Sequence, residues 1–436
     1  MQFKKISINQ WRQFREVNIE LHPRLTILTG PNGSGKSTLL SLLERSMTSS
    51  HHEPFLATPV NDKKTGASGF SLGTIFARFN PFTKNGEKKE EKKKLNVQHD
   101  IGTIAYDSGS VAKLSIFDES ALKYEVNLSD AEKIIGFKIA SHRALPRYQE
   151  VQSLPVSGIK PKEAFEYFYT SQKHYQRGDQ YYREGRTVCN PIAPMKETLI
   201  GFAAFGADNA HLKAVPELVG LYDKFEKLLS DLLPEEIGFQ RLEVRSPEIV
   251  VVSRTGEFPI DSASGGLMSL IQTAWQIFLY TKAHGETAVV LIDEPENHLH
   301  PSLQRDFLGN LVMAFPNVQF IVATHSPFVI TSVKESKVYA LRYSIFKEET
   351  NESRSAVTAE EIDFVSKART ADKILDDVLG VSVTIPIWAE RDLIQIANNF
   401  ERAALSKESI DNLRAELRSA GLSEFFPEVM GRIVRD

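Results

Sequence analysis

Apolar positions along this chain fall into short runs bounded by glycine, proline and charge, and their spacing predicts strands alternating with helices. Leu25-Thr26-Ile27-Leu28, Ile134 to Ala140, Thr287 to Ile292 and Val318 to Thr324 are near-continuous apolar runs, the pattern of strands buried on both faces of a mainly parallel sheet. Leu114, Ile116, Tyr124, Val126 and Leu128 alternate with polar residues and predict an antiparallel sheet beside that core. From about Pro155 to Leu233 the pattern becomes helical and rich in Tyr and Lys (Tyr167, Tyr169, Tyr175, Tyr181, Tyr182). It lacks sustained heptads and predicts a compact arm rather than a coiled coil. Arg241 to Ile260 reads as two or three short strands punctuated by Ser246-Pro247-Glu248 and Thr255-Gly256-Glu257 turns. Leu267, Leu270, Ile271, Ala274, Trp275 and Phe278 stripe a long helix, and residues 358–436 read as helices with stripes such as Leu393, Ile396, Ala397 and Phe400. The fold class is α/β, with a mixed, mainly parallel core sheet, an antiparallel N-terminal subdomain, a helical arm insertion and a C-terminal helical segment. The first domain is expected to span 1–345 and the helical region 346–436.

Composition narrows the setting. The chain has 436 residues, is 42% hydrophobic and 25% charged, and carries a net charge of −4, enough to bury two cores and too acidic for a surface that coats nucleic acid. One cysteine, Cys189, excludes a disulfide framework. Without an 18-residue apolar run, and with a strand pattern from the first residues, neither a membrane span nor a signal peptide is expected, and the location is cytoplasmic. A polar segment from about 48 to 95 ends in Lys84 to Lys94, where glutamates interleave with lysines. It reads as a solvated loop whose lysines leave contact with nucleic acid open.

Three separated motifs carry chemistry. Gly30-Pro31-Asn32-Gly33-Ser34-Gly35-Lys36-Ser37-Thr38 fits G-x-x-x-x-G-K-[ST] between a strand and a helix. Its glycines permit positive φ and close approach to phosphates, Lys36 reaches the β and γ phosphates, and the Ser37 hydroxyl ligates Mg²⁺. The Thr287 to Ile292 run delivers Asp293-Glu294 to the strand-end crevice, where Asp293 can hold the metal and Glu294 can deprotonate water. The next strand delivers His325 to the same edge, placed to donate to a γ-phosphate. Between them, His298 and His300 stand at i and i+2. No further Cys or His lies at ligand-like spacing, which argues against four-coordinate zinc and for an interface loop.

The order of phosphate loop, Ser264-Gly265-Gly266, acids, loop and histidine resembles the ABC-type ATPases, specifically the branch of SMC, Rad50, RecF and OLD nucleases. The opening Ile6 to Phe14, with its aromatic-Arg-x-Phe turn, is similar too, and Glu296-Asn297-His298-Leu299-His300-Pro301 resembles the OLD-like group. The resemblance covers residues 1 to about 345. It implies ATP and Mg²⁺ as ligands, nucleotide contacts from Arg12 and from Asn32 through Thr38, and an ATP-linked homodimer or higher oligomer of dimers. Ser264, Gly265 and Gly266 would then serve the opposite subunit's nucleotide from a helix N-terminus, with Asn297, His298 and His300 in the interface loop. This chain reads Ala-Ser-Gly-Gly-Leu where the family generally has Leu-Ser-x-Gly-Gln or -Glu. The edge after Ile134 to Ala140 carries nucleotide or metal sensors in related ATPases, so Arg143 and Gln149 are candidates, ordinary loop residues being the alternative.

OLD nucleases continue into a Toprim domain, which needs a Glu-Gly strand end and an Asp-x-Asp pair. Neither is visible, and Asp376-Asp377 reads as a solvated helix face, so no nuclease is expected in this chain. Two functions stand: an ATPase switch of an anti-phage defence complex, resembling those of Septu, PARIS or retron-linked systems and controlling a separate HNH or Toprim effector nuclease, or a DNA-repair ATPase in the RecF manner.

Overall fold

A computed structural model describes residues 1–49, 53–61, 68–71, 80–81, 98–117, 122–155, 158–183, 185–188, 190–208, 211–347, 353–362, 387–400, 407–427 and 429–430. The chain divides into two compact units, Met1–Arg369 and Thr370–Asp436.

The first unit is built on one 11-stranded sheet. Its strands, in chain order, are β1 (Phe3–Trp11), β2 (Phe14–Glu20), β3 (Leu25–Thr29), β4 (Gln98–Tyr106), β5 (Val111–Phe117), β6 (Asn127–Ser129), β7 (Gly136–Ile139), β8 (Ala288–Asp293), β9 (Val318–Ala323), β10 (Lys337–Lys347) and β11 (Ser353–Ile362). Across the sheet they run β6-β5-β4-β1-β2-β11-β10-β3-β9-β8-β7. From β10 to β7 every pairing is parallel, and from β6 to β2 every pairing is antiparallel. Every residue of β3, β8 and β9 is buried, which is why these strands read as near-continuous apolar runs. Parallel strands end at one edge, so the loops after β3, β8 and β9 meet there.

Helix α1 (Lys36–Glu44) follows the phosphate loop and packs Leu39, Leu40, Leu42 and Leu43 into the core shared with β1, β2 and β4. The arm supplies α2 (Pro161–Arg177), α3 (Ile192–Phe205) and α4 (Leu221–Leu232), with a hairpin of Tyr181–Arg183 and Arg186–Val188 between α2 and α3. Its aromatics are packing groups: Phe165 lies 4.9 Å from Tyr280 and 5.0 Å from Phe137 between ring centroids, and Tyr169 stacks on Phe165 at 5.2 Å. Tyr182 stays exposed. Tyr280 belongs to α5 (Gly265–His284), a 20-residue helix buried from Leu267 through Thr281. A three-stranded meander, Phe239–Arg245, Glu248–Ser253 and Gly256–Pro259, precedes it. Helices α6 (Pro301–Ala314) and α7 (Pro327–Ile330) follow β8 and β9.

Three expectations from the pattern change. Residues 358–362 form strand rather than helix, because β11 pairs with β10 along its length and with β2 on its other side. The boundary therefore falls after the sheet, not at 345. Within 48–95, Phe55–Leu56 pairs with Lys123–Tyr124, and 58–61, 68–71 and 80–81 form a small sheet. Lys84 to Lys94 and Asp376-Asp377 lie outside the described residues. In the second unit, helices Ile387–Phe400 and Lys407–Ser419 bury Leu393, Ile396, Ala397, Leu413 and Leu417 in a core of their own. Among the described residues, no helix is long and apolar enough to cross a membrane.

One buried ionic group ties the arm to the segment leading into α5. Lys196 on α3 is fully buried; its Nζ lies 2.8 Å from Glu248 Oε2 and 2.6 Å from Asp261 Oδ2. Burial pushes the Asp261 carboxyl above its ordinary range, with the Lys196 bond and charge opposing. Lys196→Met would leave two acids without their cation. It is expected to cost about 3–5 kcal/mol, read as a lowered urea midpoint, and Asp261→Asn in the same chain should recover part of the loss.

Candidate functional site

The phosphate loop is closed by contacts that leave no room for side chains at two glycines. Gly30, Gly33 and Gly35 have φ of 140°, 78° and 97°. A Cβ on Gly30 would lie 2.3 Å from the carbonyl oxygen of Leu341 on β10, and one on Gly35 would lie 2.3 Å from Phe14 Cζ. Glycine is therefore required for space as well as for conformation. Gln13 donates from Nε2 to Gly33 O at 3.3 Å, so the turn between β1 and β2 braces the loop. At this turn the sequence points to Arg12, whereas Gln13 makes the contact with the loop. Arg12 has φ of 54° and an exposed side chain, with its guanidinium over the rings of Trp11 (5.8 Å) and Phe55 (5.5 Å).

Asn32 is exposed at the loop tip, Ser34 is buried with Oγ unpartnered, and Ser37 and Thr38 lie in the first turn of α1. Lys36 Nζ donates to Gly30 O at 2.9 Å and Pro31 O at 3.1 Å, folding the cation over the cradle. Burial lowers its pKa to about 8, opposed by the charges of Asp293, Glu294 and Glu296. A cation held in a glycine cradle is a fit for phosphate oxygens, whose negative charge would offset that desolvation.

At the end of β8, Asp293 is buried and accepts a hydrogen bond from the Ser37 hydroxyl. Burial raises its pKa; the Ser37 bond and the charges of Lys138 and Lys36 oppose the shift, and Glu294 reinforces it. A hydroxyl and a buried carboxyl in contact, both oxygen donors, suit Mg²⁺. Glu294 has φ of 48°, a conformation that costs a non-glycine residue about 1–3 kcal/mol. Its N–H donates to Ala323 O at 2.8 Å, and its carbonyl accepts from the Arg143 guanidinium at 3.4 Å. The carboxylate is held from two sides: Asn297 Nδ2 donates to Oε2 at 2.9 Å, and His325 Nε2 lies 3.4 Å from Oε1. His325 is in turn fixed by Glu296, whose Oε1 accepts from the Thr324 hydroxyl (2.8 Å) and from the N–H groups of His325 (2.7 Å) and Ser326 (3.2 Å). Glu296 thus faces inward, a role that only the fold reveals.

Arg143 is buried and donates to Ser269 Oγ at 3.1 Å as well as to the Glu294 and Pro295 carbonyls. Burial lowers its pKa to about 10 against the charges of Glu296, Asp293 and Glu294. It braces the acidic turn from behind. Gln149 instead donates to Thr187 O in the arm hairpin at 3.2 Å. Ser264 is exposed and caps α5, accepting from Leu267 N at 3.3 Å. Gly265 and Gly266 open the helix beside His298, whose carbonyl oxygen would lie 2.8 Å from a Cβ on Gly266. Asn297 is half-buried against the acids, whereas His298 and His300 are exposed. The His300 ring caps α6, accepting from Ser302 N at 3.3 Å.

A family model described as "AAA domain, putative AbiEii toxin, Type IV TA system" matches residues 25–331, from β3 to the end of α7. The chain belongs to that AAA-domain family. The chain is 48% identical over 50 residues to "Retron Vc95 probable ATPase" of Vibrio cholerae serotype O1 biovar El Tor, covering 12% of this chain and 10% of that protein. It is 24% identical over 203 residues to "Septu protein PtuA" of Bacillus mycoides (strain KBAB4), covering 45% and 27% respectively. The chain thus matches about a tenth and a quarter of the lengths of these relatives. Among solved structures, the SMC head domain from Thermotoga maritima aligns at 12% identity over 83% of this chain and 100% of that one, with a TM-score of 0.38.

The crowding at Gly35 gives a direct test. Gly35→Ala places a methyl against the Phe14 ring and imposes strained φ, so ATP affinity is expected to fall at least tenfold by calorimetric titration. A fall in unfolding free energy of about 1–3 kcal/mol should accompany it.

Proposed function

We propose that this chain is the ATP-binding and ATP-hydrolysing switch subunit of an anti-phage defence complex, and that nucleotide-dependent dimerisation controls a separate effector nuclease. One observation carries the catalytic half: the ends of three adjacent parallel strands bring Lys36, Asp293, Glu294 and His325 together at one edge, with Glu294 held between Asn297 and His325. The matches to a retron ATPase and to Septu PtuA support the defence setting.

In this reading the loop amides and Lys36 bind the phosphates, and Ser37 and Asp293 would hold Mg²⁺, which would supply positive charge against the phosphates. Glu294 takes the proton from the attacking water at its carboxylate. His325 donates a hydrogen bond to the γ-phosphate, and Glu296 keeps it in place. Ser264 is exposed at the start of α5, with Gly265 and Gly266 half-buried behind it, a helix N-terminus of the kind that would meet a phosphate carried by a second copy. Arg12, as an exposed guanidinium one residue from the Gln13 brace, and the exposed His298 complete the proposed contact set. The effector is expected to be an HNH or Toprim nuclease encoded nearby, and this chain by itself to leave DNA intact in the cytoplasm.

Glu294→Gln keeps the metal and phosphate contacts but removes the base, so it is expected to retain ATP on filters while wild type releases phosphate; equal retention by both proteins would refute the assignment. Lys36→Ala should bind neither ATP nor ADP. If Ser264 acts on the partner's nucleotide, mixing Lys36→Ala with Ser264→Arg chains assembles one intact and one dead site. Recovery of single-site ATP binding is then expected, and its absence would exclude sharing between subunits. Co-purification with products of neighbouring genes, followed by nuclease assays of each component, tests the effector.

A further inference from the structure

We infer that Tyr343 and Ile345, on the overhanging end of β10, form the platform on which the base of the bound nucleoside triphosphate stacks. This rests on the proposal that the phosphate loop binds ATP, and extends it to the part of the ligand that neither the motifs nor the acids address.

The sheet order sets the direction of the ligand. The groups fitted to the terminal phosphate, Asp293, Glu294 and His325, follow β8 and β9 on one side of β3, whereas β10, β11 and β2 lie on the other. A triphosphate with its γ end at the acids must therefore send its nucleoside toward β10. That strand pairs with β3 only as far as Ala340 opposite Thr29, and from Leu341 to Lys347 it continues beyond the end of β3, paired only with β11. The overhang runs alongside the phosphate loop: the Leu341 carbonyl closes on Gly30, and Tyr343 Oη lies 3.2 Å from the position of a Cβ on Gly33.

Cross-strand register completes the surface. Tyr343 pairs with Val357, and Val357 pairs with Phe14, so the three share one face of the sheet. Phe14 on that row presses against Gly35, which places the whole row against the loop. Phe14 and Val357 are buried, but Tyr343 is 47% exposed, and Ile345, two residues further on the same face, is 78% exposed. An aromatic ring and a branched aliphatic side chain beside a phosphate cradle offer a flat apolar patch that a base can cover, and stacking tolerates any base because each has a π-face.

The test compares ATP with inorganic tripolyphosphate, which has the same phosphates and no base, by calorimetry in Mg²⁺ on the full chain. Tyr343→Ala is expected to weaken ATP about tenfold and leave tripolyphosphate unchanged, with Tyr343→Phe close to wild type. Ile345→Asp, at a position too exposed to unfold the chain, should also weaken ATP selectively. If both variants bind ATP as wild type does while Lys36→Ala does not, the platform is wrong and the nucleotide site stands. Equal loss of both ligands in Tyr343→Ala would mean that the tyrosine shapes the loop rather than meeting the base, overturning the inference. Wild type binding neither ligand would overturn the nucleotide reading itself.

Discussion

Everything at the functional edge depends on the tightness with which the phosphate loop is pressed between its neighbours. The loop leaves β3, the strand flanked by β10 and β9, and turns back over Phe14 and the Leu341 carbonyl with no space for a methyl at Gly30 or Gly35. Such a turn persists only because its surroundings over-determine it. On one side β9 is fully buried, on the other β10 is buried from Val338 to Leu341, and the brace from Gln13 comes from a different part of the chain. The cradle is consequently a property of the assembled sheet, although its residues are contiguous.

The same logic governs the acidic side. Glu294 sits in a left-handed conformation, and three separate elements hold it there: β9 through Ala323 O, the segment after β7 through Arg143, and its own loop through Asn297. Glu296 then ties that loop to the turn after β9. Acid and histidine are thereby fixed relative to each other by the Glu296 carboxylate. The buried Lys196 group makes an analogous tie at greater sequence distance, joining the arm to the turn that leads into Ser264.

What the sequence made legible was local. The phosphate loop, the Asp293-Glu294 pair and His325 announce themselves because each follows a largely apolar, fully buried strand, and the parallel pairing of those strands does the rest. The arm, the meander and α5 were also readable from period and turn residues. The parts that escaped are set by pairing across the fold. Strand β11 has only Val357 and Ile362 as buried large apolar residues, too few to signal a strand until β10 and β2 are in place on either side. Gln13 and Glu296 stand inside recognisable motifs, but their individual contacts are not legible because their partners lie 20 or more positions away. Gln149, offered by the resemblance as a nucleotide or metal sensor with an ordinary loop residue as the alternative, has its amide engaged by the arm hairpin.

Arg143 has a consequence for motion. Its planar guanidinium reaches Ser269 on α5 and the carbonyls of Glu294 and Pro295 at once, and a planar fork cannot flex to follow partners that drift apart. Tilting α5 must therefore either break these bonds or carry the acidic turn with it. Arg143 thus ties the helix that Ser264 caps to the backbone of Glu294 through one side chain.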